Sequence, residues 1–176
     1  VQSRLSHSAV ANSYDFSPFK TIVDVGGGKG TLLELILKNN PSSKGVLFDL
    51  PHVINKAMAG FSNNEISDRI DFVSGNFFEE VPSGGDVYLM AMVVHDWDDE
   101  HALRILKTCY RAMRAGATLL LSELVIPQGN APFFGKLLDL DMMVNFGGKE
   151  RTGREYAILL RKAGFDIPKI LPTRGP

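Results

Sequence analysis

His95, Glu123 and Glu150 are the side chains of this 176-residue chain whose types and settings suit proton transfer. His95 lies in Val93-Val94-His95-Asp96-Trp97-Asp98-Asp99-Glu100, directly after a long apolar run. An imidazole titrates near neutral pH and can take a proton from a hydroxyl. Glu123, in Leu121-Ser122-Glu123-Leu124, ends the next apolar run. If the two runs are adjacent parallel strands, Glu123 comes close to His95. A carboxylate on one ring nitrogen would fix the tautomer and support the imidazolium that forms. Glu150 precedes a helical pattern in Gly147-Gly148-Lys149-Glu150-Arg151-Thr152. Plainer readings stand beside these: a helix-entry histidine, a solvated strand-end acid, and a charge favoured at a helix N-terminus.

A second chemistry is ligand binding at Gly26-Gly27-Gly28-Lys29-Gly30. A P-loop would need glycine where Val23 stands, and the dinucleotide fingerprint would need it at Thr31. What remains is glycine at 26, 28 and 30, preceded by Asp24. Such a loop lets a ligand approach the backbone closely. Asp49 follows Gly26 by 23 residues, at the end of the next apolar run. A carboxylate there can accept hydrogen bonds from both hydroxyls of a ribose. Asp24 reads as an orienting residue rather than a catalyst. Trp97 and Phe77 read as core residues, though an adenine could stack on either.

These residues need a frame. Apolar runs at 21–25, 45–49, 70–73, 86–94 and 118–122 predict strands, and Phe165-Asp166-Ile167 begins a further one. Helical spacing predicts helices over 5–13 (weakly), from Thr31 to about Pro41, and over 51–59, 98–114, 133–144 and 152–163. Thr31 with Glu34, and Thr152 with Glu155, have capping-box spacing, while Gly116 and Gly164 are stops. Strands alternating with helices imply an α/β fold with a mainly parallel, doubly wound sheet and helices on both faces. Ligands of such sheets bind beyond the carboxyl ends of the strands, where the glycine loop, Asp49, His95 and Glu123 fall.

Composition excludes several classes. The chain is 44% hydrophobic and 22% charged, which is rich enough in apolar residues to build a core and argues against disorder. Nineteen basic residues face 20 acidic ones, so no excess charge exists for nucleic acid or an anionic membrane. No apolar run reaches the length of a membrane span, about 18 residues. Cys109 is the only cysteine and cannot form an intrachain disulfide, which points to a reducing compartment, the cytoplasm. Four scattered histidines offer no zinc spacing. The chain begins at Val1 and ends in Pro172-Thr173-Arg174-Gly175-Pro176, so a longer parent is expected. Residues 1–20 read as a lead-in and 21–176 as one domain.

Taken in order, Tyr14-Asp15-Phe16-Ser17, Val23-Asp24-Val25-Gly26-Gly27-Gly28, Phe48-Asp49-Leu50-Pro51-His52-Val53, His95-Asp96-Trp97 and Gly147-Gly148-Lys149-Glu150-Arg151-Thr152 carry one resemblance. From about residue 10 onward the chain resembles the catalytic domain of S-adenosylmethionine-dependent O-methyltransferases, of the plant caffeate and bacterial polyketide, phenazine and hydroxyindole type. The resemblance implies a Rossmann-like methyltransferase sheet whose final antiparallel strand lies beyond this chain. It implies that Gly26, Gly28, Gly30 and Asp24 hold the methionine part of the cofactor and Asp49 the ribose. Leu50, Asn76 and Phe77 would lie at the adenine. His95 would be the general base, flanked by Glu123 and Glu150. Asn145, with Met142 or Met143, would contact an aromatic substrate. The chain departs from the family at Gly75-Asn76-Phe77-Phe78 and at Ala91, where a cofactor-contacting lysine is usual. The family's N-terminal dimerisation domain does not precede Val1, and a homodimer is implied for a longer parent.

The reaction so implied is methyl transfer from S-adenosylmethionine to a hydroxyl of a small aromatic compound, leaving S-adenosylhomocysteine and needing no metal. Two rivals remain. One is a nicotinamide-dependent oxidoreductase, disfavoured by the missing third glycine and the lack of a Tyr-x-x-x-Lys pair. The other is a cofactor-binding piece without turnover.

Overall fold

Short segments rich in Val, Ile, Leu and Phe pair as one parallel sheet: β1 (Thr21–Val25), β2 (Lys44–Asp49), β3 (Ile70–Ser74), β4 (Val87–Ala91) and β5 (Thr118–Ser122). The computed structural model describes residues 2–129, 147–166 and 168–173, with side chains from residue 7. Strand order is β3-β2-β1-β4-β5, with every pairing parallel. Chain direction across the sheet reverses between β1 and β4. A crevice therefore opens beyond their carboxyl ends, where successive loops turn to opposite faces.

Parallel neighbours require crossovers, supplied by α2 (Thr31–Asn39), α3 (Pro51–Phe61) and α4 (Asp99–Ala112) after the leading α1 (Gln2–Ser13). A last helix, α5, spans Gly153–Ala163. Side chains alternate across each strand, so one run of residues fills two cores. Ile22, Leu47, Val87 and Leu89 face Leu33, Ile36 and Phe61 on one side. Val23, Val25, Tyr88 and Met90 face Ile105, Leu106, Leu159 and Leu160 on the other. Gly45 allows the first layer to close, because a Cβ there would stand 2.9 Å from both Leu33 and Leu37.

Several expectations change. The lead-in does carry the helix weakly expected over 5–13, as α1, and its Ala11 and Phe16 are buried in the first core. The strand expected over 86–94 ends at Ala91. Met92 takes φ 55, and Val94–Asp96 form a 3-10 turn. Val93 and Val94 stay buried although the strand has ended, so the apolar run reports burial rather than conformation. Helix α2 begins without the Thr31–Glu34 box: its cap is Gly30 at φ 72, and Glu34 pairs with Lys38 instead. Helix α4 ends at Ala112, before Gly116. The described residues of 165–173 form no strand. Phe165 packs on Tyr110 with ring centroids 5.0 Å apart, and Pro168 and Pro172 lack the N–H a ladder needs. Ile167 and the helix expected over 133–144 lie outside the described residues. Among the described residues no helix is long and apolar enough to cross a membrane.

Helix α5 is capped as its sequence implies. Thr152 accepts from the Glu155 backbone, Glu155 accepts in return, and Gly164 closes the other end at φ 106. Thr152→Ala should lower stability by about 0.5–2 kcal/mol, read as a fall in the urea midpoint with unchanged slope. An unchanged midpoint would show that the cap contributes nothing.

Candidate active site

Three loops meet at the carboxyl ends of the central strands. A Cβ built on Gly26 would stand 3.0 Å from Val93 and 3.6 Å from Phe77, so the loops after β1, β3 and β4 touch there. Gly26, Gly28 and Gly30 all have positive φ, which other residues rarely adopt. The Gly26 N–H donates to the Phe48 carbonyl at 2.8 Å. The Gly28 N–H donates to Asp49 Oδ2 at 2.9 Å, and Leu50 N–H to Asp49 Oδ1 at 2.7 Å. Asp49 thus ties the glycine loop to β2 and keeps further lone pairs for a ligand.

This cradle suits a ligand with hydroxyls and a positive group. A methyl on Gly28 would meet nothing within 4 Å, whereas one on Gly27 would stand 2.5 Å from Asp24 Oδ2. Asp24 is buried, and among the described residues its Oδ2 has no hydrogen-bond partner. Burial, aided by the Asp49 charge, pushes its carboxyl up to about 7. A cation or a donor group on a ligand would relieve that cost. Leu50 is exposed beside Asp49. Asn76 has partners within its own turn. Its Oδ1 accepts from Phe78 N–H at 3.0 Å and its Nδ2 donates to Glu79 at 3.0 Å, so it caps its own turn. Phe77 packs with Phe78 and Trp97, at centroid distances of 5.1 and 6.0 Å.

The proton-transfer group takes a different form from the one its spacing suggests. His95 Nδ1 donates to Glu150 Oε1 at 2.8 Å, and both residues are buried. Glu123 does not hold that nitrogen. Its Oε1 accepts from the Val93 and Val94 N–H groups at 3.1 and 2.8 Å, which anchors the backbone leading into His95. The two N–H groups point at Glu123 because Met92 has left extended geometry. His95 Nε2 lies 3.4 Å from Oδ1 of the half-exposed Asp96.

Charges set the readiness of this pair. Burial alone would lower the His95 pKa, but the hydrogen bond to Glu150 and the charges of Glu123, Glu150 and Asp96 raise it above the ordinary value. Burial pushes Glu123 up to about 7, against the opposing pull of His95 and the two N–H donors. Such a site can accept a proton and stabilise the cation that results.

A model of the O-methyltransferase domain matches residues 1–166. The chain belongs to the O-methyltransferase domain family. The phenazine O-methyltransferase of Lysobacter antibioticus is 48% identical over 165 residues, covering 94% of this chain and 48% of that protein. Human N-acetylserotonin methyltransferase, solved with S-adenosylmethionine, superposes with TM-score 0.82 at 32% identity, over 92% of this chain and 46% of that one. An O-methyltransferase from neocarzinostatin biosynthesis, solved with S-adenosyl-L-homocysteine and 1,4-dihydroxy-2-naphthoic acid, gives 0.88 at 34% identity, over 97% and 51%. This O-methyltransferase domain therefore spans about half the length of the relatives it matches.

Within the O-methyltransferase domain, Met142, Met143 and Asn145 lie outside the described residues. Sequence reading missed Gly148 and Arg151. A Cβ on Gly148 would stand 2.2 Å from the His95 carbonyl, so the Glu150 segment can reach His95 only with glycine there. The adjacent pair Gly147-Gly148 was the available signal. Arg151 is wholly buried, which no pattern of charges could reveal.

Proposed function

We propose that this domain transfers a methyl group from S-adenosylmethionine to a hydroxyl of a small aromatic compound, with His95 as general base. The buried His95–Glu150 hydrogen bond of 2.8 Å, beside the glycine loop, carries the reading. The named activities of the relatives support it. The cofactor, when bound, supplies an electrophilic methyl group. Gly26, Gly28, Gly30, Asp24 and Asp49 would hold it, with Leu50 and Phe77 as apolar walls. A phenol ionises near pH 10, so little phenolate exists at neutral pH. His95 Nε2 takes the hydroxyl proton as the oxygen attacks, and Glu150 stabilises the imidazolium. Positioning accounts for much of the remaining acceleration. Because His95 supplies the base, the scheme calls on no metal.

The test is transfer of labelled methyl to a panel of acceptors: caffeic acid, acetylserotonin, 3-amino-4-hydroxybenzoate, 1,4-dihydroxy-2-naphthoic acid and a hydroxyphenazine. Calorimetry with S-adenosylhomocysteine tests the cofactor separately. Asp49→Ala should cost about 1.5–3 kcal/mol of that affinity. The upper end is expected, because the variant also frees the Gly28 N–H. NADH binding more tightly than S-adenosylhomocysteine would overturn the reading in favour of a nicotinamide-dependent enzyme.

A further inference from the structure

We infer that Arg151 is the positioning residue that holds the His95 turn against Glu150; the inference deepens the general-base reading and rests on it. Its side chain is fully buried and bonds to four groups, the carbonyls of Val94, Lys149 and Trp97 and the carboxylate of Asp99. Nη1 donates to the Val94 carbonyl at 3.1 Å and to the Lys149 carbonyl at 3.0 Å. Nη2 donates to the Trp97 carbonyl at 2.8 Å. Nε and Nη2 both lie 2.9 Å from Asp99 Oδ1. Nε–H, both Nη1 donors and one Nη2 donor are thereby used, and the Nη2–Asp99 ion pair adds to them.

The pattern brackets the reacting pair. Val94 opens the 3-10 turn that carries His95, Trp97 follows it, and Lys149 precedes Glu150. The Lys149 N–H also donates to the His95 carbonyl at 2.8 Å, across the gap that Gly148 leaves open. One planar cation therefore ties both sides of His95 to both sides of Glu150. Behind it, β6 (Val125–Ile126) pairs with β7 (Arg151–Thr152), which links the same segment to the residues after Glu123. Asp99 opens α4 and fixes the guanidinium from the helix side. A lysine cannot reproduce this: its single nitrogen carries three donors and cannot span three carbonyls and a carboxylate in fixed directions. If a slack turn let His95 and Glu150 drift, a displacement of about 1 Å would cost turnover as much as 10²-fold.

The groups facing His95 are Glu150, Glu123 and Asp96, with Tyr156 behind the two glutamates. The experiment is ring-labelled histidine NMR on Arg151→Lys, Arg151→Met and Asp99→Asn, with far-UV CD to establish folding. The chain has four histidines, and the His95 signal is assigned by its loss in His95→Gln. In the wild type the Nδ1–H signal should be protected and the ring should titrate above the ordinary histidine value. In Arg151→Lys and Arg151→Met the Nδ1–H signal should weaken and the titration should move down. Asp99→Asn should do the same to a smaller degree, and its exposed site makes unfolding no obstacle. Turnover should fall by about 10–100-fold in Arg151→Lys, in kcat rather than in the KM for cofactor, with the acid limb of the pH profile moved down alongside the titration. Unchanged Nδ1–H protection and titration in folded Arg151→Lys and in Asp99→Asn would overturn the inference. Should the Arg151 variants fail to fold, Asp99→Asn alone decides it. The general-base reading fails by a separate route, through an active His95→Ala.

Discussion

His95→Ala should reduce methyl transfer by about 10²–10⁴-fold, the usual worth of a positioned general base. Affinity for S-adenosylhomocysteine should hardly change, because the proposed cofactor residues sit at the ends of β1 and β2 and on the loops after β1, β2 and β3, while His95 belongs to the turn after β4. The pH profile supplies a second signature. Burial would depress the His95 pKa, yet Glu150, Glu123 and Asp96 outweigh it and the net shift is upward. A base must be unprotonated, so kcat/KM should climb with pH through a limb above the ordinary histidine value of about 6.5. Glu123, pushed up to about 7, titrates in the same range, so that limb belongs to the coupled group. The alanine variant should lose this limb, with residual activity rising instead towards the phenol's own ionisation near pH 10. A variant that keeps most of its turnover would make His95 a helix-entry residue and remove the proposed mechanism.

The parallel sheet was legible because each strand is a dense apolar run, and such runs mark burial on both faces. The same logic overran β4. Val93 and Val94 are as apolar as any strand residue, and they are buried, but Met92 at φ 55 has already turned the chain. That turn is what makes the site hard to read. Strand adjacency places Glu123 beside His95 as expected, since β4 and β5 do pair. One oxygen of Glu123 then accepts from the backbone that the turn exposes, and Nδ1 is left to Glu150, 55 residues away in sequence. Asn76 caps its own turn through Phe78 and Glu79, yet its oxygen keeps a second lone pair for the adenine contact that its type suits. Gly148 acts through its closeness to the His95 carbonyl, and Arg151 through the burial of its charge. Both are tertiary properties that residue types in a row do not carry.

Glu150→Gln and Glu123→Gln should separate the two carboxylates that spacing alone treats alike. In Glu150→Gln the amide meets His95 Nδ1 in one of two ways. If its oxygen faces the ring, the tautomer survives but the imidazolium loses its counter-charge. If its NH₂ faces the ring, the proton is driven onto Nε2, the nitrogen that must accept. Either outcome weakens the base, and the equivalent change in a histidine–carboxylate pair costs up to about 10⁴-fold. A loss of about 10²–10⁴-fold in kcat is expected, with the His95 titration moved down because a hydrogen bond that raised it has lost its charge. Glu123→Gln keeps an oxygen for the Val93 and Val94 N–H groups, so the turn should stand. Its carboxyl, pushed up to about 7 by burial, is only partly ionised near neutral pH, so less charge is removed. Its kcat should fall by less than about tenfold, well below the loss at Glu150. Steady-state kinetics on both variants, with cofactor affinity measured alongside, gives the comparison. The reverse order, with Glu123→Gln the more damaged, would mean that Glu123 serves the imidazole in turnover and that the Glu150 hydrogen bond belongs only to the resting enzyme.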